Sequence, residues 1–256
     1  MNYLKVNGSS LAYKARWADN AQGSILFVHG SGGDSHIWEE QIKQLPFNFS
    51  GVAIDLPGHG ASNGPLLDTI EAGARFINML PDLLHMPRPI WLAGHSMGSA
   101  MALTAALNYP QQTDGLILIG SGSRLRVMPQ ILAALQTGKM NPEFLRIGFS
   151  SATPASVWEK EIAALLKVGT NIIYNDFKAC DQFDRSADIE QIKIPTLVIA
   201  GEDDKLTPLK YSQFLDDRLA SSKLVVIPQA GHYVMLEKPE EVSRAIADFV
   251  SSIKYF

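Results

Sequence analysis

The sequence predicts an α/β fold in which a mostly parallel sheet of about eight strands is flanked by helices. Short aliphatic or β-branched runs alternate along the chain with helix-length amphipathic segments, a pattern typical of a parallel sheet covered on both faces. The 256 residues are 46% hydrophobic and 19% charged, a balance that favours a folded protein with a large core over a disordered chain.

The chain opens with a predicted hairpin and continues with six buried strands. Asn7-Gly8 lies between apolar runs at 3–6 and 11–15, which is a strong signal for a two-residue hairpin turn. The later strands are predicted at 25–28, 51–55, 90–93, 115–119, 194–200 and 223–227. Helices are predicted at 37–45, 69–84, 97–108, 209–219 and 239–253, and the last two begin near Pro208 and Pro239.

Residues 121–188 interrupt this alternation, because the stretch contains helix-like pieces but no convincing strand. The pieces lie near 128–136, 156–167 and 171–179. Functional loops of such sheets gather at the carboxyl ends of the strands, so we expect a helical lid inserted after strand six. The core domain would then comprise residues 1–120 and 189–256. A structural excursion far from any site is the alternative.

Composition excludes several classes of function. The net charge of −4 gives no basic surface for nucleic acid. A single cysteine cannot form an internal disulfide, and we see neither a signal peptide nor an apolar run of the ~20 residues that span a membrane, so a cytoplasmic protein is expected. The histidines and the cysteine lack the spacing of zinc ligands, and no phosphate-binding glycine loop is present. We therefore expect no metal and no cofactor.

The strongest chemical signal is the pentapeptide Gly94-His95-Ser96-Met97-Gly98. It follows the predicted strand at 90–93 and opens the predicted helix at 97–108, which is the context that a G-x-S-x-G nucleophile requires. The tight turn exposes the serine hydroxyl at a helix N-terminus, where free amides stabilise developing negative charge. The alternative is a serine that only caps the helix.

A serine nucleophile needs a base, and the base needs an orienting carboxylate. His232 follows the last predicted strand and precedes the final helix, where it can reach over the carboxyl edge of the sheet. The loop after strand 194–200 contains three acids, Glu202, Asp203 and Asp204. The order serine, acid, histidine is that of one of the three common triads. An acidic turn that caps the following helix is the alternative for this loop.

These motifs resemble the α/β-hydrolase family, and in particular its small esterase and acyl-hydrolase branch. The matching pieces are Val28-His29-Gly30-Ser31-Gly32, the Asp55-Leu56-Pro57-Gly58-His59-Gly60-Ala61-Ser62 run, the Ser96 pentapeptide, Gly201-Glu202-Asp203-Asp204 with Pro208, and Gly231-His232 with Glu237-Lys238-Pro239-Glu240. The resemblance covers nearly the whole chain outside 121–188. It implies an α/β-hydrolase fold and a triad of Ser96, His232 and an acid.

The resemblance also implies roles for single residues. The acid falls three residues after the glycine in this family, which selects Asp204 over its two neighbours. The amides of Ser31 and Met97 are implied as the oxyanion hole. A serine at position 96, where a haloalkane dehalogenase has aspartate, excludes that activity.

Five further residues are predicted to contact the substrate. His29, Gly30 and His95 neighbour the implied site in sequence, and Arg124 and Arg126 follow the strand at 115–119, where they would steer an anionic substrate. The alternative for the two arginines is solvated charge, or a salt bridge to an acid such as Asp181 or Asp184.

We expect a serine hydrolase of the carboxylesterase type that cleaves a small-molecule ester or thioester through an acyl-enzyme on Ser96. The same triad would also support hydrolysis of a C–C bond, a lactone or an amide, because one fold carries many chemistries. A hydrolase-like receptor that only binds its ligand is the non-catalytic alternative.

Overall fold

All eight strands form a single sheet in the computed structural model, which describes residues 1–253. The strands are β1 (Asn2–Val6), β2 (Ser9–Arg16), β3 (Ser24–Val28), β4 (Ser50–Ile54), β5 (Ile90–His95), β6 (Gly115–Ile119), β7 (Thr196–Gly201) and β8 (Ser222–Ile227). Their order is β1-β2-β4-β3-β5-β6-β7-β8, in which β2 runs antiparallel to both of its neighbours and the other pairs are parallel. The predicted sheet of about eight mostly parallel strands is confirmed.

The predicted hairpin joins β1 to β2. Val6 pairs with Ser9, so the loop has two residues, and Asn7 and Gly8 both have positive φ, of 48° and 82°. Two successive positive φ angles are the requirement of the type I′ turn, whose twist matches that of the flanking strands. The Asn-Gly dipeptide supplies the two residues that adopt this backbone most easily.

Ten α-helices lie in the described part of the chain. They are α1 (Glu39–Lys43), α2 (Ile70–Leu83), α3 (Met97–Asn108), α4 (Pro129–Gln136), α5 (Pro142–Arg146), α6 (Ala155–Leu165), α7 (Thr170–Gln182), α8 (Leu209–Arg218), α9 (Val234–Glu237) and α10 (Pro239–Ser252). The predicted helix at 37–45 is wrong as a single element, because a 3-10 helix (Ser35–Trp38) precedes α1. Asp34 caps that first turn by accepting a hydrogen bond from the His36 amide.

The sheet is buried on both faces between two apolar layers. Helices α2 and α3 cover one face, and α1 and α10 cover the other. Every residue of β3 through β7 is buried, which explains why these strands are continuous apolar runs without alternation. Because six neighbouring strands, β4-β3-β5-β6-β7-β8, are parallel, the loops that follow them meet at one edge of the sheet, where a site can form.

Helices α4 to α7 all lie between β6 and β7, inside the interval 121–188 that sequence patterning set apart. They contain a small apolar cluster of Leu145, Phe149, Ile162 and Leu165, and Tyr233 of the core packs against it. No helix among residues 1–253 is long and apolar enough to cross a membrane. Residues 254–256, the end of the predicted core segment 189–256, lie outside the described residues.

Candidate active site

Ser96 sits on a strained turn between β5 and α3. Its backbone has φ 52° and ψ −114°, a region that non-glycine residues rarely occupy. The Ser96 amide donates to the Ile119 carbonyl at 3.0 Å, which ties the turn to β6. Ser96 stands at the N-cap of α3 but its side chain makes no capping hydrogen bond. The alternative of a simple helix cap is therefore wrong, and the hydroxyl is not used by the helix.

The two glycines of the pentapeptide are required by the close approach of backbone. A Cβ at Gly94 would lie 2.3 Å from the Gly98 carbonyl, and a Cβ at Gly98 would lie 2.3 Å from the carbonyl oxygen of Val28. Both obstacles are backbone atoms inside the sheet–helix contact, which cannot move aside as a flexible side chain would. A side chain at either position would therefore force the backbone of this turn to shift.

Asp204 and His232 form a buried hydrogen-bonded pair. The Nδ1–H of His232 donates to Asp204 Oδ2 over 2.9 Å, and Thr207 Oγ1 donates to the same oxygen over 2.7 Å. The other carboxylate oxygen accepts from the amides of Leu206 and Thr207 at 2.8 and 2.9 Å. Burial alone would raise the pKa of Asp204, but the charge and hydrogen bond of His232 and the bonds from Thr207 lower it overall. The pair leaves Nε2 of His232 as the nitrogen that can accept a proton.

The other two acids of this loop face elsewhere. Asp203 accepts a hydrogen bond from the hydroxyl of Ser150, and its amide donates to the Ala230 carbonyl at 2.8 Å. Glu202 is exposed. Of the three carboxylates, the structure brings only that of Asp204 within hydrogen-bond distance of His232.

The loop that carries His232 is fixed by a second buried carboxylate. Glu237 accepts hydrogen bonds from the amides of Gly231 and Ser150, both at 2.9 Å, and from the hydroxyl of Thr153. The His232 amide itself donates to the Gly148 carbonyl at 2.6 Å. The segment between α5 and α6 therefore helps to hold the histidine in place.

Ser96 and His232 open onto a cavity of about 290 Å³. Most of its wall is apolar, and helices α4 to α7 contribute part of it, including Ile131, Phe144 and Phe177. A pocket of mainly apolar wall with a few convergent polar groups is the usual form of a small-molecule site.

Ser31 and Met97, the implied oxyanion residues, both lie close to Ser96. Ser31 lines the cavity, and its hydroxyl lies 3.8 Å from the sulfur of Met97 and 3.7 Å from that of Cys180. Met97 is the first residue of α3, so its amide has no partner within the helix. The loop from Gly30 to Gly33 is closed by a 3.1 Å hydrogen bond from the Gly33 amide to the Gly30 carbonyl.

His29 does not line the cavity, and its predicted contact with substrate is wrong. The ring is fully buried; Nδ1–H donates to the Gly30 carbonyl at 2.8 Å and Nε2 accepts from the Leu56 amide at 3.0 Å. Burial, followed by the charge of neighbouring His59, lowers the pKa of His29 to about 4, so the ring is neutral. Nε2 joins this loop to that of Leu56 and Nδ1 bonds the adjacent residue, so neither ring nitrogen is left for a ligand.

Gly30 and His95 shape the site in different ways. A Cβ on Gly30 would lie 2.9 Å from the His95 ring and 3.2 Å from Cβ of Ser96, so Gly30 permits close packing and is itself outside the cavity wall. His95 does line the cavity, and its Nε2–H donates to the His232 carbonyl at 3.0 Å. Burial, and then the charge of His232, hold the pKa of His95 well below its ordinary value.

Of the two predicted arginines, only Arg126 lines the cavity. Its guanidinium pairs with the Asp184 carboxylate at 3.4 Å and donates to the Asp181 carbonyl at 3.1 Å. Arg124 is exposed away from the cavity, and its backbone forms an isolated antiparallel bridge with Asp184. The predicted substrate contact of Arg124 is wrong, and the salt-bridge alternative describes Arg126.

Sequence reasoning missed several residues at this site. Thr207 and Lys205 share the loop of Asp204, and both line the cavity. Asp176 of α7 accepts a hydrogen bond from the Gly32 amide at 2.8 Å, next to Ser31. Their position in the loop of Asp204 is the signal that could have identified Lys205 and Thr207. Nothing local in the sequence links Asp176 to Gly32. Among residues 1–253, no group of three His, Cys, Asp or Glu side chains is arranged to hold a metal.

Comparisons with known proteins identify the family of this chain. A model of the alpha/beta hydrolase family matches residues 25–245. A pimeloyl-[acyl-carrier protein] methyl ester esterase of Neisseria meningitidis is 27% identical over 245 residues, which cover 90% of this chain and 77% of that protein. The monoacylglycerol lipase ABHD6 of Homo sapiens is 23% identical, with 99% and 82% covered. The structure of a thermophilic esterase is similar at a TM-score of 0.83 and 33% identity, with 98% and 96% covered. Since the family model matches most of its length, this chain belongs to the alpha/beta hydrolase family.

Proposed function

We propose that the protein is a serine hydrolase that cleaves a carboxylic ester or thioester through an acyl-enzyme on Ser96. One observation carries the proposal. Ser96, on its strained turn, and His232, which is hydrogen-bonded to buried Asp204, line the same apolar cavity. The esterase and lipase names of the similar proteins support hydrolysis of esters.

The chemistry follows from the roles of these groups. Ser96 Oγ attacks the substrate carbonyl while Nε2 of His232 takes its proton, and Asp204 stabilises the imidazolium that results. The carbonyl oxygen becomes negative and is held by the amides of Ser31 and Met97. The imidazolium then protonates the leaving alcohol or thiol. Water, deprotonated by the same histidine, releases the acid and restores Ser96.

The substrate class follows from the cavity. Its wall is mainly apolar, so the acyl part of the substrate is a neutral chain, and Arg126 is already paired with Asp184. We assign residues 121–188 as the lid that supplies most of this wall, on a core of 1–120 and 189–256. Cys180 is free and buried, which fits the expected cytoplasmic location.

A chain-length series tests the proposal. The p-nitrophenyl esters from acetate to laurate are compared by kcat/KM, before and after covalent inactivation of the protein by a fluorophosphonate probe. Each methylene buried in the cavity stabilises binding by about 0.8 kcal/mol, so kcat/KM should rise about fourfold per methylene until the cavity is full. Pretreatment with the fluorophosphonate should abolish turnover. Absence of turnover for every ester by the folded protein would contradict the proposal and support a ligand-binding protein.

A further inference from the structure

A carboxylate from the helical segment reaches the loop that carries Ser31. Oδ2 of Asp176, on α7, accepts the Gly32 amide at 2.8 Å and the Nε2–H of His59 at 2.9 Å. Asp176 is 1% exposed and His59 is 4% exposed, so both contacts are shielded from water. The three partners come from parts of the chain 144 and 117 residues apart. One oxygen atom thus joins the helical segment to two separate loops of the core.

His59 supplies the counter-charge that a buried carboxylate needs. Its Nε2 faces Asp176 and its Nδ1 faces the Pro57 carbonyl at 3.1 Å, so both ring nitrogens face acceptors, as in a protonated imidazolium. Burial lowers the pKa of His59, but the hydrogen bond and charge of Asp176 outweigh it and raise the pKa overall. A buried charge is tolerated only when it is paired and hydrogen-bonded, and both conditions are met here.

The same contact fixes the backbone beside the implied oxyanion donor. Gly32 has φ 67°, and a Cβ there would lie 3.0 Å from Ile173 of α7, so α7 packs directly on this residue. On the other side, Gly30 packs against His95 and Ser96. Ser31 is therefore bracketed by one glycine fixed on the nucleophile turn and one glycine fixed by Asp176. The Ser31 amide belongs to the Gly30–Ser31 peptide, whose carbonyl accepts from the Gly33 amide at 3.1 Å, and Asp176 bonds the amide of Gly32 inside that same turn.

We propose that Asp176 is a positioning residue that holds the Ser31 amide in the oxyanion geometry from the helical segment. This inference rests on the proposed serine-hydrolase function. Asp176 touches no reacting atom. It accepts the hydrogen bond of the Gly32 amide and so fixes the peptide that follows Ser31. Loss of the contact should therefore weaken stabilisation of the negative oxygen while leaving the apolar cavity that binds the acyl chain.

The test is the pair Asp176→Ala and Asp176→Asn, with Glu161→Gln as the matched control. Glu161 lies on α6 of the same helical segment, is buried, and bonds Nε2 of His36 at 2.7 Å, outside the Gly30–Gly33 turn. Asp176→Ala should lower kcat by about tenfold to hundredfold with KM changed less than about threefold, because a misplaced donor affects the transition state. Asp176→Asn keeps an acceptor for Gly32 and should lie between Asp176→Ala and wild type. Glu161→Gln should keep kcat within about twofold.

The inhibition constant of a trifluoromethyl ketone distinguishes a misplaced oxyanion donor from a general loss of stability, because a less stable but folded protein would bind this inhibitor unchanged. Ser96 Oγ adds to its carbonyl carbon, the proton passes to His232, and the ketone oxygen becomes the negative group that the amides hold. Its inhibition constant should rise across the Asp176 variants in proportion to the loss of kcat/KM. Equal losses in Asp176→Asn and Glu161→Gln, or an unchanged inhibition constant, would overturn the inference. If Asp176→Ala does not fold, the kcat and inhibition constant of Asp176→Asn are compared with those of Glu161→Gln, and a larger change in Asp176→Asn supports the role of Asp176.

Failure of the proposed function has a different signature. In that case wild type itself would neither hydrolyse esters nor react with a fluorophosphonate at Ser96. An active, labelled wild type whose Asp176 variants behave like the Glu161 variant would contradict only the role of Asp176.

Discussion

A comparison of Asp204→Asn with Asp203→Asn tests which carboxylate of this loop orients His232. Oδ1 of Asp204 accepts two backbone amides, whereas Oδ2 faces His232 Nδ1 and the Thr207 hydroxyl. An asparagine must direct its oxygen at the two amides, so its NH₂ would face His232. The ring would then accept at Nδ1 and carry its proton on Nε2, where it cannot take a proton from Ser96.

The expected loss follows from that change of tautomer. An equivalent substitution in a serine protease lowers kcat by about 10⁴, which corresponds to about 5 kcal/mol of transition-state stabilisation. Asp203→Asn is the matched control, because among residues 1–253 the side chain of Asp203 bonds only Ser150, and an amide oxygen can replace that acceptor. Its kcat should stay within about twofold, with a stability cost of about 1 kcal/mol or less.

The assay is steady-state hydrolysis of p-nitrophenyl butyrate by both variants, with circular dichroism to verify folding. If Asp203→Asn lost more activity than Asp204→Asn, the carboxylate that serves His232 would be Asp203, and the loop register described above would be refuted.

Three further predictions concern stability, substrate charge and the turn. Hydrogen bonds with Asp34 and then Glu161 raise the pKa of His36 from 6.5 to about 10, so its stabilisation is complete below pH 6.5 and is lost as pH rises through about 10. Urea denaturation should show wild type losing about 1.5–3 kcal/mol more than His36→Asn between neutral pH and about pH 10; parallel losses would contradict a charged His36. Arg126→Gln should change KM for matched anionic and neutral esters by the same factor, within about twofold, and a rise confined to the anionic ester would show that the guanidinium binds substrate. Gly98→Ala should cost about 1–3 kcal/mol in thermal unfolding and reduce fluorophosphonate labelling; normal stability would show that the contact with the Val28 carbonyl can relax.

Features that depend on local backbone chemistry could be predicted from the sequence. Asn7-Gly8 predicts its turn because few residues adopt two positive φ angles, and the Ser96 pentapeptide predicts a tight strand–turn–helix because glycine alone fits beside the backbone. The five buried parallel strands can also be predicted, as apolar runs, because every residue in them packs against one of the two covered faces of the sheet.

Features that depend on packing between distant segments could not be predicted. His29 sits in a motif beside the site, yet its ring turns inward to bond Leu56, a choice set by the space beneath the loop. Asp176 lies on an amphipathic helix whose pattern shows which face is buried but not which loop that face meets. Arg124 and Arg126 would face the same side of an extended segment, but only the fold decides which of them reaches the cavity.

Trapping the acyl-enzyme tests the central claim most directly. Wild type is mixed with a p-nitrophenyl ester, quenched in acid within the first turnover, digested and examined by mass spectrometry, with Ser96→Ala treated in parallel. We predict that the peptide containing Ser96 gains the mass of the acyl group in wild type, and that the folded Ser96→Ala protein gains none and hydrolyses no ester. An acyl group on another residue, or ester turnover by Ser96→Ala at the wild-type rate, would contradict the assignment of Ser96 as the nucleophile.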